Sequence, residues 1–221
     1  MTGGADTPNE PSQALLSDAV VAPQANRLAA VEQAWQNLTT AGPILTTRQR
    51  HEIIAVARSA WAGAGAPNST IGLAGEAAYW VASDPGGITK ETVGGFEARG
   101  LSRLAYLEVV GVVARLANVD FYSRGLGASL PLLPPIDALL PTGRVNGAAT
   151  ITDSWVPMLS PALAPFVLDA LPAEGEALRD IHEAMYIPME SLGDGTYEDE
   201  LTRPQIEYVA ARTSYLNECF Y

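Results

Sequence analysis

Helical spacing of apolar residues, set off by helix-capping motifs, recurs along the whole chain and limits the fold more than any other feature. Thr46-x-x-Gln49 and Thr202-x-x-Gln205 are capping boxes, in which two side chains satisfy N–H groups at the start of a helix. After Ser102, the segment RLAYLEVVGVVARLANV carries apolar residues at helical steps. The only candidate for a strand is Thr150-Ile-Thr. The sequence therefore predicts an all-α fold.

Capping residues and glycines suggest where the other helices begin and end. Asn26 is expected to cap a first helix whose apolar face holds Leu28, Val31, Trp35 and Leu38. Thr89 and Gly100 bracket a short helix. Further helices are expected after residues 68–70, over 161–171 and over 174–189, with a separate turn or short helix over 120–128.

Composition divides the chain into four parts. Residues 1–24 are rich in Pro, Gly and Ser and are expected to be a disordered leader. Residues 25–130 form a first helical unit. Residues 131–153 form a linker, since PLLPPIDALLP holds four prolines and cannot continue a helix. Residues 154–221 form a second, partial unit.

Charge and cysteine content exclude several classes of protein. The 221 residues hold 13 basic and 25 acidic side chains, a net charge of −12, which argues against nucleic acid and anionic membranes as partners. No apolar run is long enough to span a bilayer, and the polar N-terminus does not match a signal peptide, so a cytoplasmic protein is expected. The single cysteine, Cys219, rules out an internal disulfide and a cysteine-only zinc site.

Other candidate motifs are incomplete. His182-Glu-Ala-Met-Tyr lacks the second histidine of a zinc protease, and His51 is expected on a helix surface. Gly125-Leu-Gly127 lacks the third glycine and the strand of a dinucleotide site. The acidic segment Asp194–Glu200 lacks calcium-loop spacing. We therefore expect neither a metal nor a cofactor.

Two segments of the chain resemble each other. LTTRQRHEIIAVARSAWAGAGAP (45–67) and LTRPQIEYVAARTSYLNECFY (201–221) both open with Leu-Thr and a capping box. An offset of 155 aligns Glu52 with Glu207 and Ser59 with Ser214. This similarity favours a duplicated unit, with two amphipathic helices of similar composition as the alternative.

The end of the chain carries the sharpest motif. Glu207 is followed by eleven residues and then Cys219 in ARTSYLNECFY. This segment resembles the core motif of the AhpD-like alkylhydroperoxidases, also called the carboxymuconolactone decarboxylase family, in which Glu precedes Cys-x-x-Cys and a histidine. Glu207 matches the glutamate and Cys219 the first cysteine, whereas the sequence ends before the second. In the first copy Ala64 and Pro67 stand at the cysteine positions.

The resemblance implies a thiol-dependent hydroperoxide reductase that takes a hydroperoxide and a thiol reductant and assembles as a homo-oligomer. In that chemistry a thiolate attacks the peroxide and the other cysteine of the pair resolves the sulfenic acid. In the family the second cysteine is usually taken as the attacking thiol, and the histidine and glutamate relay its proton. The resemblance thus gives Cys219 the resolving position and Glu207 a place in the proton relay. This chain supplies Glu207 and Cys219 alone, so a one-cysteine reaction would need an external thiol. Two alternatives stay open: a decarboxylase-type member that uses no cysteine pair, and a non-catalytic structural or interaction protein.

Overall fold

The protein is a bundle of α-helices. The structure is a computed structural model, and it describes residues 14–65, 72–152, 154–159 and 166–219. The all-α prediction is confirmed, since these residues form seven α-helices and no strand. The helices are α1 (Ala25–Leu38), α2 (Thr47–Trp61), α3 (Leu73–Ser83), α4 (Lys90–Ala98), α5 (Arg103–Gly125), α6 (Pro172–Met185) and α7 (Arg203–Leu216). Short 3-10 turns lie at Pro85–Gly87 and Met189–Ser191.

Helix α5 is the centre of the bundle. Helices α1, α2, α3, α4 and α6 all pack against it, and α2 also packs closely on α3. Thirteen of its residues are buried, on nearly every side of the helix. A helix that is apolar all round belongs in the interior, and this explains why the sequence of α5 lacks a polar face.

Side-chain caps fix the starts of several helices. The predicted capping box of Thr46 and Gln49 is present, and so is that of Thr202 and Gln205. Thr89 caps α4, and the Ser102 hydroxyl accepts a hydrogen bond from the Ala105 N–H at the start of α5. The prediction for α1 is wrong by two residues: Gln24 is the N-cap, and its side chain makes no capping hydrogen bond. The buried face of α1 still contains Val31, Trp35 and Leu38.

The second half of α5 also differs from expectation. Residues 120–125 continue the helix rather than forming a separate turn. Asp120 is buried there and accepts two hydrogen bonds of 2.7 and 2.8 Å from Arg58 of α2. This pairing and the burial of Val119 and Ser123 fix the last two turns against the bundle.

Residues 131–152 run without helix, as the prolines predict. The Thr142 N–H donates to the Gly42 carbonyl at 3.0 Å, so this strap crosses the start of α2. Thr150, the strand candidate, forms only an isolated bridge with Met158. Of the expected helix over 161–171, residues 161–165 lie outside the described part and 166–171 form turns.

Helix α6 is shorter than predicted and belongs to the central core. It ends at Met185 because Pro188 disfavours helical backbone at Ile187. Ile181 of α6 is buried in the same cluster as Val31 and Leu116.

Residues 14–24 also lie against the bundle: Leu16 is buried, and the Val20 N–H donates to the Leu126 carbonyl.

Helix α7 is the least packed element, because none of its residues is buried. Arg203 fastens its first turn by donating to the carbonyls of Ser191, Leu192 and Asp194. Among the described residues, no helix combines the length and apolar character that a membrane crossing requires.

Candidate functional site

Cys219 lies three residues beyond the end of α7 and is exposed. The helix ends at Leu216, and two residues later Glu218 has a φ of +52°, in the left-handed region. The Cys219 N–H then donates to the Ser214 carbonyl at 2.9 Å, which satisfies one of the last carbonyls of the helix. This backbone turn presents the thiol at the surface of the bundle.

Helix α2 ends in the same way. Gly63 has a φ of +80°, and the Ala64 N–H donates to the Ser59 carbonyl at 3.1 Å. The offset of 155 that aligns Ser59 with Ser214 places Ala64 at the position of Cys219. The two segments thus share a capping box at the start and a left-handed turn at the end.

Glu207 of α7 is exposed, with about half of its side-chain surface accessible. It accepts a hydrogen bond of 2.7 Å from Arg203 Nε, and the Tyr186 hydroxyl donates to it at 3.3 Å. Burial, to which the Glu207 charge adds, raises the pKa of Tyr186. The contacts of Glu207 therefore join α7 to the segment after α6.

The structure does not bring Glu207 and Cys219 together. Leu216 lies nine positions after Glu207 along the helix, a rise of about 14 Å, and Cys219 follows the helix end. In the first copy, Glu52 instead accepts a hydrogen bond of 2.7 Å from the Gly72 N–H. Pro67, the other cysteine position of that copy, lies outside the described residues.

The main cluster of buried charges contains neither of these residues. Arg50 of α2, Glu108 and Arg115 of α5, and Glu174 of α6 have relative exposures of 1, 0, 0 and 3%. Glu174 bridges the two arginines, with Oε1 on Arg50 and Oε2 on Arg115. These four side chains, the buried ion cluster, join three helices.

Hydrogen bonds satisfy most polar atoms of the buried ion cluster. Glu108 accepts from Arg50 Nε at 2.8 Å and from the N–H groups of Ile44 and Leu45 at 2.7 and 3.2 Å. Arg50 also donates to the Asn37 carbonyl at 2.8 Å. Buried charges require partners of this kind because their desolvation is costly. One atom remains: Arg115 Nη1 meets no acceptor among the described residues.

The pKa shifts in the cluster follow from burial and from the alternating charges. Burial raises the pKa of Glu108 against the effect of Arg50, and the nearby Glu174 adds to the rise. Burial lowers the pKa of Arg115. Burial opposes the charge of Arg50 as well, but its two carboxylate partners outweigh that effect and raise its pKa.

Sequence reasoning missed this cluster, although a signal was present. Glu108 and Arg115 interrupt the most apolar helix at a spacing of seven residues, which places both on one face. Charged residues within an otherwise apolar helix predict a buried pair or a site. Their partners, Arg50 and Glu174, are distant in sequence and have no local signal.

Neither histidine forms a metal site. His51 is buried rather than on the surface, and its Nε2 donates to the Thr39 carbonyl at 2.9 Å, so the surface prediction is wrong. His182 packs edge-on against Tyr186, and its Nδ1 has no partner in the described part of the chain. The described residues contain no group of three or more His, Cys, Asp or Glu side chains that would hold a metal ion.

Comparison with known proteins identifies no relative of this chain. No family model matches the chain, and no curated protein or solved structure matches it significantly. The candidate sites are therefore the exposed thiol at the end of α7 and the buried ion cluster between α2, α5 and α6.

Proposed function

We propose that this protein is a thiol-dependent hydroperoxide reductase of the AhpD-like type, in which Cys219 is the reacting thiol. The observation that carries the proposal is the exposure of Cys219 at a helix end that matches the end of α2. An accessible sulfur is required because a hydroperoxide must approach it along the O–O axis. The similarity to the AhpD-like motif supplies the choice of substrate.

The reaction balances with an external thiol. The Cys219 thiolate attacks the terminal oxygen of ROOH, the O–O bond breaks, and the departing alkoxide takes a proton and leaves as ROH. The sulfur becomes a sulfenic acid. A low-molecular-weight thiol then displaces water to form a mixed disulfide, and a second thiol releases the disulfide and restores Cys219. The net change is the reduction of one hydroperoxide by two thiols.

In this proposal Glu207 is a positioning residue. Its carboxylate lies at the far end of α7 from the sulfur and is held by Arg203 and Tyr186. The proton-relay role that the resemblance implies for Glu207 would require it to reach the reacting thiol. We therefore assign it to holding α7 against the bundle.

Consumption of tert-butyl hydroperoxide in the presence of dithiothreitol tests the proposal. We expect Cys219→Ser to abolish the protein-dependent rate and Ser214→Ala, on the same helix, to retain it. Glu207→Gln should change the rate by less than about threefold, whereas a loss of about a hundredfold would assign it acid–base catalysis. An unchanged rate in Cys219→Ser would exclude the thiol mechanism.

A non-catalytic interaction protein is the second candidate. The separation of Glu207 from Cys219 and the presence of Ala64 at the matching position of α2 favour it. Trapping with dimedone distinguishes the two functions, because this reagent labels a sulfenic acid. Peroxide-treated protein that takes up no dimedone at Cys219 would support the non-catalytic function.

A further inference from the structure

The strap over residues 131–152 contains the one Asn-Gly pair of the sequence, Asn146–Gly147. Every other asparagine precedes a residue with a side chain: Glu, Arg, Leu, Ser or Val. Glycine has no Cβ to hinder its backbone nitrogen when that nitrogen attacks the side chain of a preceding asparagine. The pair is therefore the position of the chain best suited to spontaneous deamidation, provided that the fold leaves it reactive.

The fold leaves the nitrogen of Gly147 open to water. Gly147 and Ala148 are exposed, and Asn146 is partly buried. A Cβ at Gly147 would meet nothing within 4 Å. The Gly147 N–H donates to no acceptor in the described part of the chain. Hydroxide can therefore remove its proton without breaking a hydrogen bond of the fold.

A turn holds the two reacting groups together. The Asn146 N–H donates to the Ala170 carbonyl at 2.9 Å, and the Ala149 N–H donates to the Asn146 carbonyl at 3.1 Å. Within this turn the Ala148 N–H donates to Asn146 Oδ1 at 3.1 Å. This last bond closes an Asx turn, which folds the side chain back along the main chain. The side-chain carbonyl of Asn146 is thus held beside the nitrogen that would attack it.

The Ala148 N–H also favours the reaction electrostatically. Attack on the side-chain carbonyl carbon of Asn146 transfers negative charge to Oδ1. A backbone N–H that already donates to this oxygen stabilises the charge as it develops, in the manner of an oxyanion hole. An unfolded chain has no fixed donor at this position. The turn therefore promotes the reaction in addition to permitting it.

We propose that Asn146 deamidates spontaneously in the folded protein through attack by the Gly147 nitrogen. This nitrogen, which has lost its proton to hydroxide, bonds to Cγ of Asn146. The bond from Cγ to the side-chain nitrogen breaks, and that nitrogen takes a proton from water and leaves as ammonia. The resulting succinimide takes up one water molecule at either carbonyl, which gives aspartate or isoaspartate. No electrons are transferred, and Cys219 takes no part.

Both products alter the strap. Each adds one negative charge to a protein whose net charge is −12. In isoaspartate the main chain runs through the former side chain, which inserts a methylene group before Gly147. The former main-chain carbonyl of Asn146 becomes a free carboxylate, so the turn that Ala149 closes no longer fits. The modification thus changes the strap next to Ala170, where it meets the segment before α6.

A second turn in the chain provides an internal comparison. Asp194 precedes Gly195, and the Thr196 N–H donates to Asp194 Oδ1 at 2.8 Å, as in the turn at Asn146. The hydrogen bonds from Thr196 lower the pKa of Asp194, so its side chain is a carboxylate at neutral pH. A carboxylate is a poor electrophile. Asp194 should therefore stay unchanged while Asn146 is converted.

Peptide mapping by mass spectrometry, during incubation of the folded protein at neutral pH, tests the proposal. We expect the peptide that contains Asn146 to gain the mass of an amide-to-acid conversion, and those of Asn37, Asn118 and Asn217 to remain intact. The main product should be isoaspartate, which endoproteinase Asp-N does not cut. The same incubation in urea gives the unfolded reference, and conversion in the folded protein should be no slower.

The variant Gly147→Ala separates this chemistry from the fold. The backbone of Gly147 is outside the left-handed region and its Cβ position is open, so alanine is tolerated. Conversion of Asn146 should slow by at least about tenfold, because a Cβ hinders the attacking nitrogen. Gly94→Ala, at an equally open position of α4, is the matched control and should leave the rate unchanged.

Two results would overturn the proposal. Slower conversion in the folded protein than in urea would show that the turn protects Asn146. Equal rates in Gly147→Ala and in the natural protein would show that water hydrolyses the side-chain amide directly, without the Gly147 nitrogen.

Discussion

At the scale of single residues, Glu174 is the carboxylate that links the two buried arginines of the ion cluster. Its two oxygens serve two buried arginines on different helices. We expect Glu174→Ala to lower the free energy of unfolding by about 3–5 kcal/mol, because Arg50 and Arg115 then remain buried with one carboxylate between them. Urea denaturation measures this loss. Glu176→Ala, two residues further along α6 and exposed, should change it by less than about 0.5 kcal/mol. Equal effects of the two changes would refute a structural role for the cluster.

His182 makes stability depend on pH in the opposite way to a paired histidine. Burial lowers its pKa from 6.5, and its Nδ1 has no partner in the described residues. The unfolded chain then takes a proton that the folded protein resists. The contribution of neutral His182 is therefore complete above pH 6.5 and is lost as the pH falls through that value toward the lowered pKa of the folded state.

The variant His182→Gln isolates this effect. We expect the free energy of unfolding of the natural protein to fall relative to that of the variant as the pH drops from about 7.5 to about 5. Urea denaturation at a series of pH values measures the difference. A difference that stays constant, or that moves in favour of the natural protein in acid, would contradict a lowered pKa.

At residue scale, the sequence predicts correctly those features that depend on residues close together in the chain. Threonine caps and the buried face of α1 follow from spacing within a few residues and were correct. The burial of His51 was missed because it depends on a hydrogen bond to the carbonyl of Thr39, which directly follows α1 and meets His51 only in the folded bundle. The partners of Glu108 and Arg115 were missed for the same reason, since contacts between helices have no local sequence signature.

At the scale of elements, the crossing of α5 and α6 depends on a glycine. A Cβ at Gly111 would lie 2.9 Å from Leu168 Cδ1 and 3.3 Å from Glu174 Oε2. We expect Gly111→Ala to lower the free energy of unfolding by about 1–3 kcal/mol through overpacking, despite the better helix propensity of alanine. Thermal or urea unfolding checks the sign.

The control lies in another helix. A Cβ at Gly94 of α4 meets nothing within 4 Å, so Gly94→Ala should raise stability by about 0.5–1 kcal/mol. Stabilisation by both substitutions would show that the space at Gly111 is not required for the packing of α5 against α6.

Helix boundaries show the same division between local and distant causes. The end of α6 follows from Pro188, which acts through the chain itself. The extension of α5 through Gly125 depends on the pairing of Asp120 with Arg58, a contact between helices that the sequence pattern does not reveal. The resemblance of α2 and α7 extends to their caps and ends, but their packing differs.

At the scale of the whole molecule, α7 leaves an apolar face exposed. Tyr208, Val209, Tyr215 and Leu216 are 56–74% exposed on the side of the helix away from Arg203 and Glu207. The offset of 155 places Tyr208 and Val209 at the positions of Ile53 and Ile54 in α2, which are fully buried. Covering this apolar face by another protein surface would therefore be stabilising.

We therefore expect the protein to self-associate through this face, with a strong dependence on salt. The net charge of −12 on each copy opposes association, and salt screens that repulsion. Sedimentation velocity should show a mass above the 23.3 kDa of one chain, with more assembly at about 500 mM than at about 50 mM NaCl.

Tyr208→Ser combined with Val209→Ser should return the protein to a single chain without lowering the unfolding free energy of the monomer, because neither side chain is buried. Ala55→Ser, exposed on α2, is the control and should leave assembly intact. Assembly that survives the double substitution would place the interface on another face, and assembly that weakens with added salt would show that attraction between opposite charges drives it.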